Sequence, residues 1–376
     1  MRVVIAPDSF KGSLTSVEVA SALASGWLAA RPDDEVLLAP LADGGEGTLV
    51  AIAAAGDWEW RIAPATDPIG RPVEARWLRS TDGTRAVVEL AEASGLSRLT
   101  APERDPAGAS TRGTGEVLRA VLDDGIRTIT LGIGGSATTD GGAGILRALG
   151  AAIEAGAAIE SGAATPTVDL ADLDSRLAGV DLRIACDVTN PLLGPRGAAA
   201  TYGPQKGAKP EQVPELDAAL SRYADGLHAA TGRDERETPG AGAAGGTAFG
   251  LLSVADRFRS VRLVPGVDVV MDETGLRDKL AGADLVITGE GRIDAQTAFG
   301  KTALGVARLA AAAGVRCIAV GGGVETDGVE ALGTLGVVVV PVAERPQTID
   351  EAMAAGAAPV ERCGERIARL VTLGAS

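Results

Sequence analysis

The 376-residue chain carries a formal net charge of −15, with 46% hydrophobic residues and only 3% aromatic ones. Its length suggests two domains with cores built from Ala, Val, Leu and Ile, and its negative charge argues against nucleic acid or an anionic membrane as a partner. A single histidine, His228, and three widely separated cysteines, Cys186, Cys317 and Cys363, exclude a multi-histidine zinc site and fit free buried thiols.

Asp8 and Lys11 near the start do not suit a signal peptide, and no apolar run reaches the length of a membrane span. The expectation is a soluble, cytoplasmic protein. Residues 2–6 read as an apolar, β-branched strand. A helix over residues 15–30 follows, opened by a Thr15/Glu18 capping box and carrying Val17, Ala20, Ala24, Trp27 and Leu28 on one face. Residues 35–39 form the second strand, and a helix follows Gly47. Residues 73–78 and 85–90 suggest a hairpin around Ser80-Thr81-Asp82-Gly83. Strands are expected at 128–132 and 182–187, with helices after Gly113 and Gly141. The glycine- and charge-rich stretch 231–246 reads as a mobile loop. Strands at 284–288, 316–320 and 337–342 follow, with a helix over 301–313 between the first two. A last helix carries Val360, Cys363, Ile367, Leu370 and Val371 on one stripe.

Alternating strands and helices imply βαβ units, and near-continuous apolar strands imply a parallel sheet covered on both faces. The fold class is therefore α/β. Residues 1–65 and 282–376 supply one discontinuous, doubly wound domain, and residues 66–281 form a second α/β domain inserted into it.

Ligands of such sheets bind beyond the carboxyl ends of the strands. The loops expected there are Asp8-Ser9-Phe10-Lys11-Gly12-Ser13, Ala42-Asp43-Gly44-Gly45-Glu46-Gly47-Thr48 and Gly289-Glu290-Gly291-Arg292-Ile293-Asp294-Ala295-Gln296. Acids at helix starts are often caps and glycines often turns. Three acidic, glycine-rich loops on one sheet edge, with a lysine and an arginine among them, point to a site. In the insert, a strand leads into GIGGSATTDGGAG and then a helix. Its glycines allow backbone N–H groups to approach an anion, and Ser136, Thr138 and Thr139 add hydroxyls. The Gly132-x-Gly134 start also resembles a dinucleotide fingerprint, but the third glycine position holds Ala137. Asp187 follows an apolar strand, where a carboxylate is costly unless partnered or used. Residues 295–302 miss the P-loop pattern at Ala295, and Lys301 sits at the start of a helix.

Taken together, APDSFKGS, PLADGGEGT, STRGTGE, GIGGSATTDGGAG, CDVTNPLLGPRGAAATYGPQKGA and ITGEGRIDAQTAFGK resemble the bacterial glycerate kinase family of the glycerate 2-kinase type. The resemblance implies a flavodoxin-like domain split by an inserted α/β domain, with the active site in the cleft between them. It also implies ATP, magnesium (Mg2+) and D-glycerate as ligands, with 2-phosphoglycerate favoured over 3-phosphoglycerate as product. Phosphoryl transfer needs carboxylates for metal, cations for phosphate, and a proton acceptor at the hydroxyl. On that basis Asp187 is the expected base, Asp294 the alternative, and Lys11 a catalytic cation. Asp8, Ser9, Asn190, Lys206 and Arg292 are expected at the substrate. Gly134, Gly135, Ser136, Thr138, Asp140, Gly141 and Gly142 are expected at the nucleotide, and Asp43, Glu46 and Glu290 at the metal. Two other readings stand beside it. One is a dinucleotide-dependent oxidoreductase of a small hydroxy acid, whose ribose-binding acid would be Glu154 or Glu160. The other is a non-catalytic sensor of a sugar acid or nucleotide. Oligomeric state is left open.

Overall fold

The computed structural model describes residues 1–45, 47–153, 164–295, 297 and 302–373. Its strands in chain order are β1 (Arg2–Pro7), β2 (Glu35–Leu38), β3 (Trp58–Thr66), β4 (Pro72–Ser80), β5 (Arg85–Glu89), β6 (Thr128–Gly132), β7 (Ala152–Ile153), β8 (Val168–Asp169), β9 (Asp181–Ala185), β10 (Ser260–Val264), β11 (Leu285–Ile293), β12 (Arg316–Val324) and β13 (Val338–Pro341). They fall into two units. The first comprises Met1–Asp43, Val50–Gly56 and the chain from Val267 onward, and the second comprises Gly44–Leu49 and Asp57–Gly266.

In the first unit the apolar runs form a parallel sheet in the order β13-β12-β11-β1-β2. This is the flavodoxin-like order, which reverses direction between β1 and β11. The Ser16–Ala30 helix is opened by the expected capping box, in which Thr15 N–H donates to Glu18 Oε2 at 2.8 Å and Glu18 N–H donates to Thr15 Oγ1 at 3.2 Å. Its buried face is rotated from the expected one. Val19, Ala20, Leu23 and Trp27 are buried, whereas Leu28 is exposed. The reason is the Ala358–Leu373 helix, which packs so closely that a Cβ on Gly26 would lie 1.8 Å from Glu361 O. That second helix buries Val360, Cys363 and Ile367 but leaves Leu370 exposed. Together they cover the face bearing Val3, Ile5, Leu285 and Ile287. Val4, Val286 and Cys317 are aligned on the opposite face. The Thr302–Ala313 helix, packed on β11 and β12, buries Ala303, Val306, Ala307 and Ala310.

Strands β11 and β12 run longer than their apolar cores suggest. The pairing continues through Glu290↔Gly321 and Arg292↔Gly323, so most of the stretch expected as a loop is strand. Glycine permits it: a Cβ on Gly289 would lie 2.4 Å from Val320 Cγ2, and one on Gly322 would lie 2.7 Å from Gly291 O.

The second unit holds a mixed sheet in the order β10-β9-β6-β5-β4-β3. β5, β6, β9 and β10 run parallel, and β4–β5 forms the expected hairpin, with Trp77 opposite Val88. β3, which the sequence reading leaves in the split part, pairs with β4 from Trp58↔Ser80 to Thr66↔Pro72 and belongs to this unit. β9 ends at Ala185, two residues before Asp187. The stretch 231–246 is folded in rather than mobile. Residues 240–243 are buried, Gly242 N–H donates to Asn190 O at 2.9 Å, and Gly141 N–H donates to Gly245 O at 3.0 Å. Its glycines serve close approach, since a Cβ on Gly245, at φ +67°, would sit 1.9 Å from Thr138 O. Among the described residues no helix is long and apolar enough to cross a membrane.

Candidate functional site

In the first unit the sheet reverses at β1 and β11, and the residues leaving their carboxyl ends converge. Asp8 N–H donates to Gly289 O at 2.8 Å, continuing the ladder one step past β1. Its carboxylate accepts from Thr302 Oγ1 and from Ser9 N–H, each at 2.6 Å. Burial lifts the Asp8 carboxyl above its usual range, and those two bonds offset part of the rise. Glu290, 6% exposed, accepts from Thr297 Oγ1 at 2.5 Å. Lys11 Nζ lies 3.3 Å from Asp43 Oδ2, with the lysine side chain 80% exposed. The Asp43 charge raises the Lys11 pKa most, and Asp8 and Glu290 add to it. One ammonium therefore stands among three carboxylates. Arg292 turns away to Glu325, with Asp294 at 3.6 Å, so its guanidinium already has acid partners. Asp294 N–H donates to Thr297 Oγ1 at 3.1 Å in a tight turn.

In the second unit, the Gly44-Gly45 segment crosses the end of β6. A Cβ on Gly132 would lie 2.8 Å from Gly44 O, and one on Gly134 only 2.4 Å from Gly45 Cα. The Gly132-x-Gly134 pair thus makes room for another stretch of this chain, which accounts for it without a dinucleotide. Glu89 secures the same crossing. It is 5% exposed and accepts from Gly47 N–H at 3.1 Å and Leu49 N–H at 3.2 Å. The sequence reading missed Glu89, although the signal was the same one that singled out Asp187, an acid closing an apolar strand.

Downstream, Asp140 accepts from Thr111 N–H and Oγ1 at 2.8 and 2.9 Å, and from the N–H groups of Gly142 and Gly144 at 3.1 Å each. These internal bonds shape the loop Gly134, Gly135, Ser136, Thr138, Asp140, Gly141 and Gly142. Lys206, expected at the substrate, is only 2% exposed, and its ammonium donates to Ser136 Oγ at 2.8 Å and Thr138 O at 2.6 Å. Burial lowers its pKa to about 7 against the opposing pull of Asp140. The hydroxyls of Thr138 and Thr139 are buried without a hydrogen-bond partner among the described residues. Buried polar groups are rarely left so, which suits donors reserved for a ligand.

Asp187 is exposed, and its Oδ1 accepts from Gly266 N–H at 2.7 Å. Asn190 is engaged structurally, donating to Arg196 O at 2.7 Å and accepting from Tyr202 OH at 2.8 Å. Each unit thus gathers its own set, Asp8, Lys11, Asp43 and Glu290 in the first and the glycine loop with Lys206 in the second. Glu46, Glu154, Glu160 and Lys301 lie outside the described residues. Among the described residues no group of three or more His, Cys, Asp or Glu side chains is arranged to hold a metal.

The family model for the glycerate kinase family matches residues 3–372. A glycerate kinase from Halalkalibacterium halodurans is 42% identical over 373 residues, covering 97% of both chains. A glycerate 2-kinase from Escherichia coli is 41% identical over 381 residues, covering 100% of this chain and 99% of the relative. A crystal structure assigned to glycerate kinase 2 from Salmonella typhimurium superposes with a TM-score of 0.84 at 40% identity, covering 100% of this chain and 99% of the other. Agreement of that extent, in sequence and in fold, makes this chain an enzyme of the glycerate kinase family.

Proposed function

We propose that the enzyme transfers the γ-phosphoryl group of ATP to the 2-hydroxyl of D-glycerate, giving ADP and 2-phosphoglycerate, in the cytoplasm where ATP is made. The observation that carries this reading is the Lys11 ammonium among Asp8, Asp43 and Glu290 at the sheet reversal. A cation there offsets phosphate charge, and carboxylates beside it suit a hard metal ion. The name of the Escherichia coli relative supports the 2-hydroxyl as acceptor.

Asp43 and Glu290, with Glu46, would hold Mg2+ directly or through water. Two or three carboxylates are enough, because Mg2+ takes its remaining oxygens from water and phosphate. When bound, it would neutralise charge on the phosphates. Asp187 accepts the hydroxyl proton in this reading, with Asp294 the alternative. The unpartnered Thr138 and Thr139 hydroxyls serve oxygens of the ligands. The chain passes from the first unit to the second between Asp43 and Gly44. The test is ADP release from ATP with D-glycerate, with and without Mg2+. Turnover that needs all three supports the reading. ADP release that does not depend on glycerate overturns it.

A further inference from the structure

The glycine loop is held from beneath by a charged side chain that is not itself open to solvent. Lys206 closes a short 3-10 turn, Pro204–Lys206, whose backbone is pinned by its N–H donating to Gly203 O at 3.0 Å. The next residue, Gly207, takes a φ of +101°, and a Cβ there would meet Arg104 Cβ at 2.9 Å. The lysine therefore starts from a fixed base. Its side chain is among the largest fully buried in the protein. An ammonium taken out of water is costly unless its N–H groups are bonded and a counter-charge is near. Two of its three N–H bonds go to Ser136 Oγ and Thr138 O, 70 and 68 residues away in sequence, and Asp140 supplies the opposite charge. Asp140 in turn gathers Thr111, Gly142 and Gly144. The residues Lys206 ties, Ser136 and Thr138, lie in the segment that carries two of the four buried hydroxyls without a partner among the described residues, the others being those of Thr48 and Tyr223.

We infer that Lys206 is a positioning residue for phosphoryl transfer: it fixes the Ser136–Thr139 segment so that the Thr138 and Thr139 hydroxyls meet an oxyanion of the substrate pair, and it does not touch the substrate itself. This rests on the kinase reading above. Direct substrate binding by an exposed lysine would show in KM. Loss of a loop's register shows in kcat, because a misplacement of about 1 Å costs on the order of a hundredfold in rate.

Two experiments test it. In the first, native ligand-free enzyme is treated with acetic anhydride and mapped by peptide mass. The chain has five lysines, so assignment is direct. Lys11 and Lys209 should be acetylated and Lys206 untouched, and acetylation of Lys206 in the folded protein would overturn the proposal. In the second, Lys206→Met and Lys206→Gln are compared with wild type. The expected result is a kcat about a hundredfold lower for Lys206→Met with KM for D-glycerate within about threefold, and partial recovery in Lys206→Gln, which keeps an N–H donor. Amide hydrogen exchange should quicken over residues 133–140. An unchanged kcat, or a raised KM with kcat retained, would overturn the proposal. Should Lys206→Met not fold, the labelling of wild type and the Lys206→Gln kinetics still decide it. Turnover by wild type in the same assay reports on the kinase reading alone, so failure of either is distinguishable.

Discussion

Replacing Lys11 with alanine separates a catalytic lysine from an ordinary surface one. Its side chain is 80% exposed, and its one close partner among the described residues is Asp43, 52% exposed, at 3.3 Å. An ion pair that open contributes about 0–1 kcal/mol to folding, because water screens it and two long side chains must be ordered to form it. Lys11→Ala should therefore move the melting temperature by no more than about 2 °C. If the ammonium meets phosphate or substrate carboxylate in the transition state, its loss removes about 3 kcal/mol of stabilisation and lowers kcat/KM at least about a hundredfold. Coupled measurement of ADP release, beside a thermal melt of the same preparation, reads both quantities. Kinetics within about threefold of wild type would refute the reasoning. So would a collapse in stability, since Lys11 would then be holding the loop rather than the ligand.

Asp187→Asn keeps the shape and one acceptor oxygen for Gly266 N–H but removes the charge, and should lower kcat by about 10²–10⁴ while leaving the Kd for ATP, read by calorimetry, little changed. ATP binding lost in step with kcat would make Asp187 a metal ligand instead. Gly134→Ala places a Cβ 2.4 Å from Gly45 Cα, a clash with backbone rather than with a flexible side chain, so denaturant unfolding should show a loss of about 1–3 kcal/mol. Lys206 yields a pH dependence. Its pKa is about 7 folded and 10.5 in the open chain, so across that window the unfolded state binds more protons and stability attributable to Lys206 rises with pH. The difference in unfolding free energy between wild type and Lys206→Met should therefore grow in favour of wild type between pH 7 and pH 9.5, and a flat difference would contradict the lowered pKa of the buried lysine.

Much of the fold was legible because the strands that build it are continuous apolar runs. Val3-Val4-Ile5, the DLVIT run ending at Thr288 and the RCIAV run ending at Val320 announce a sheet covered on both faces, and the parallel pairing bears that out. β3 was not legible, since Trp58-Glu59-Trp60-Arg61-Ile62 lies at a sheet edge and leaves most of its residues exposed. β10 was hidden for the same reason, with no fully buried position to mark it. Glycine misled twice. At 231–246 it looks like slack, yet it allows the chain to press against Gly141 and Thr138. In β11 and β12 it looks like loop, yet it lets two strands continue side by side. The loops bearing candidate residues were visible from composition alone. Their internal roles were not, because burial is a property of packing. Nothing local distinguishes Lys206, sealed beneath the glycine loop, from the exposed Lys209 three residues on.

The central claim concerns one bond, between phosphorus and a particular oxygen of glycerate. Phosphorus NMR of the reaction of wild-type enzyme with ATP, Mg2+ and D-glycerate observes that bond directly. The account predicts a new resonance, coupled to the single proton on C2, that coincides with added 2-phosphoglycerate. A resonance coupled to the two protons on C3 would contradict the assigned acceptor, and the absence of any phosphorylated glycerate would contradict the proposed reaction.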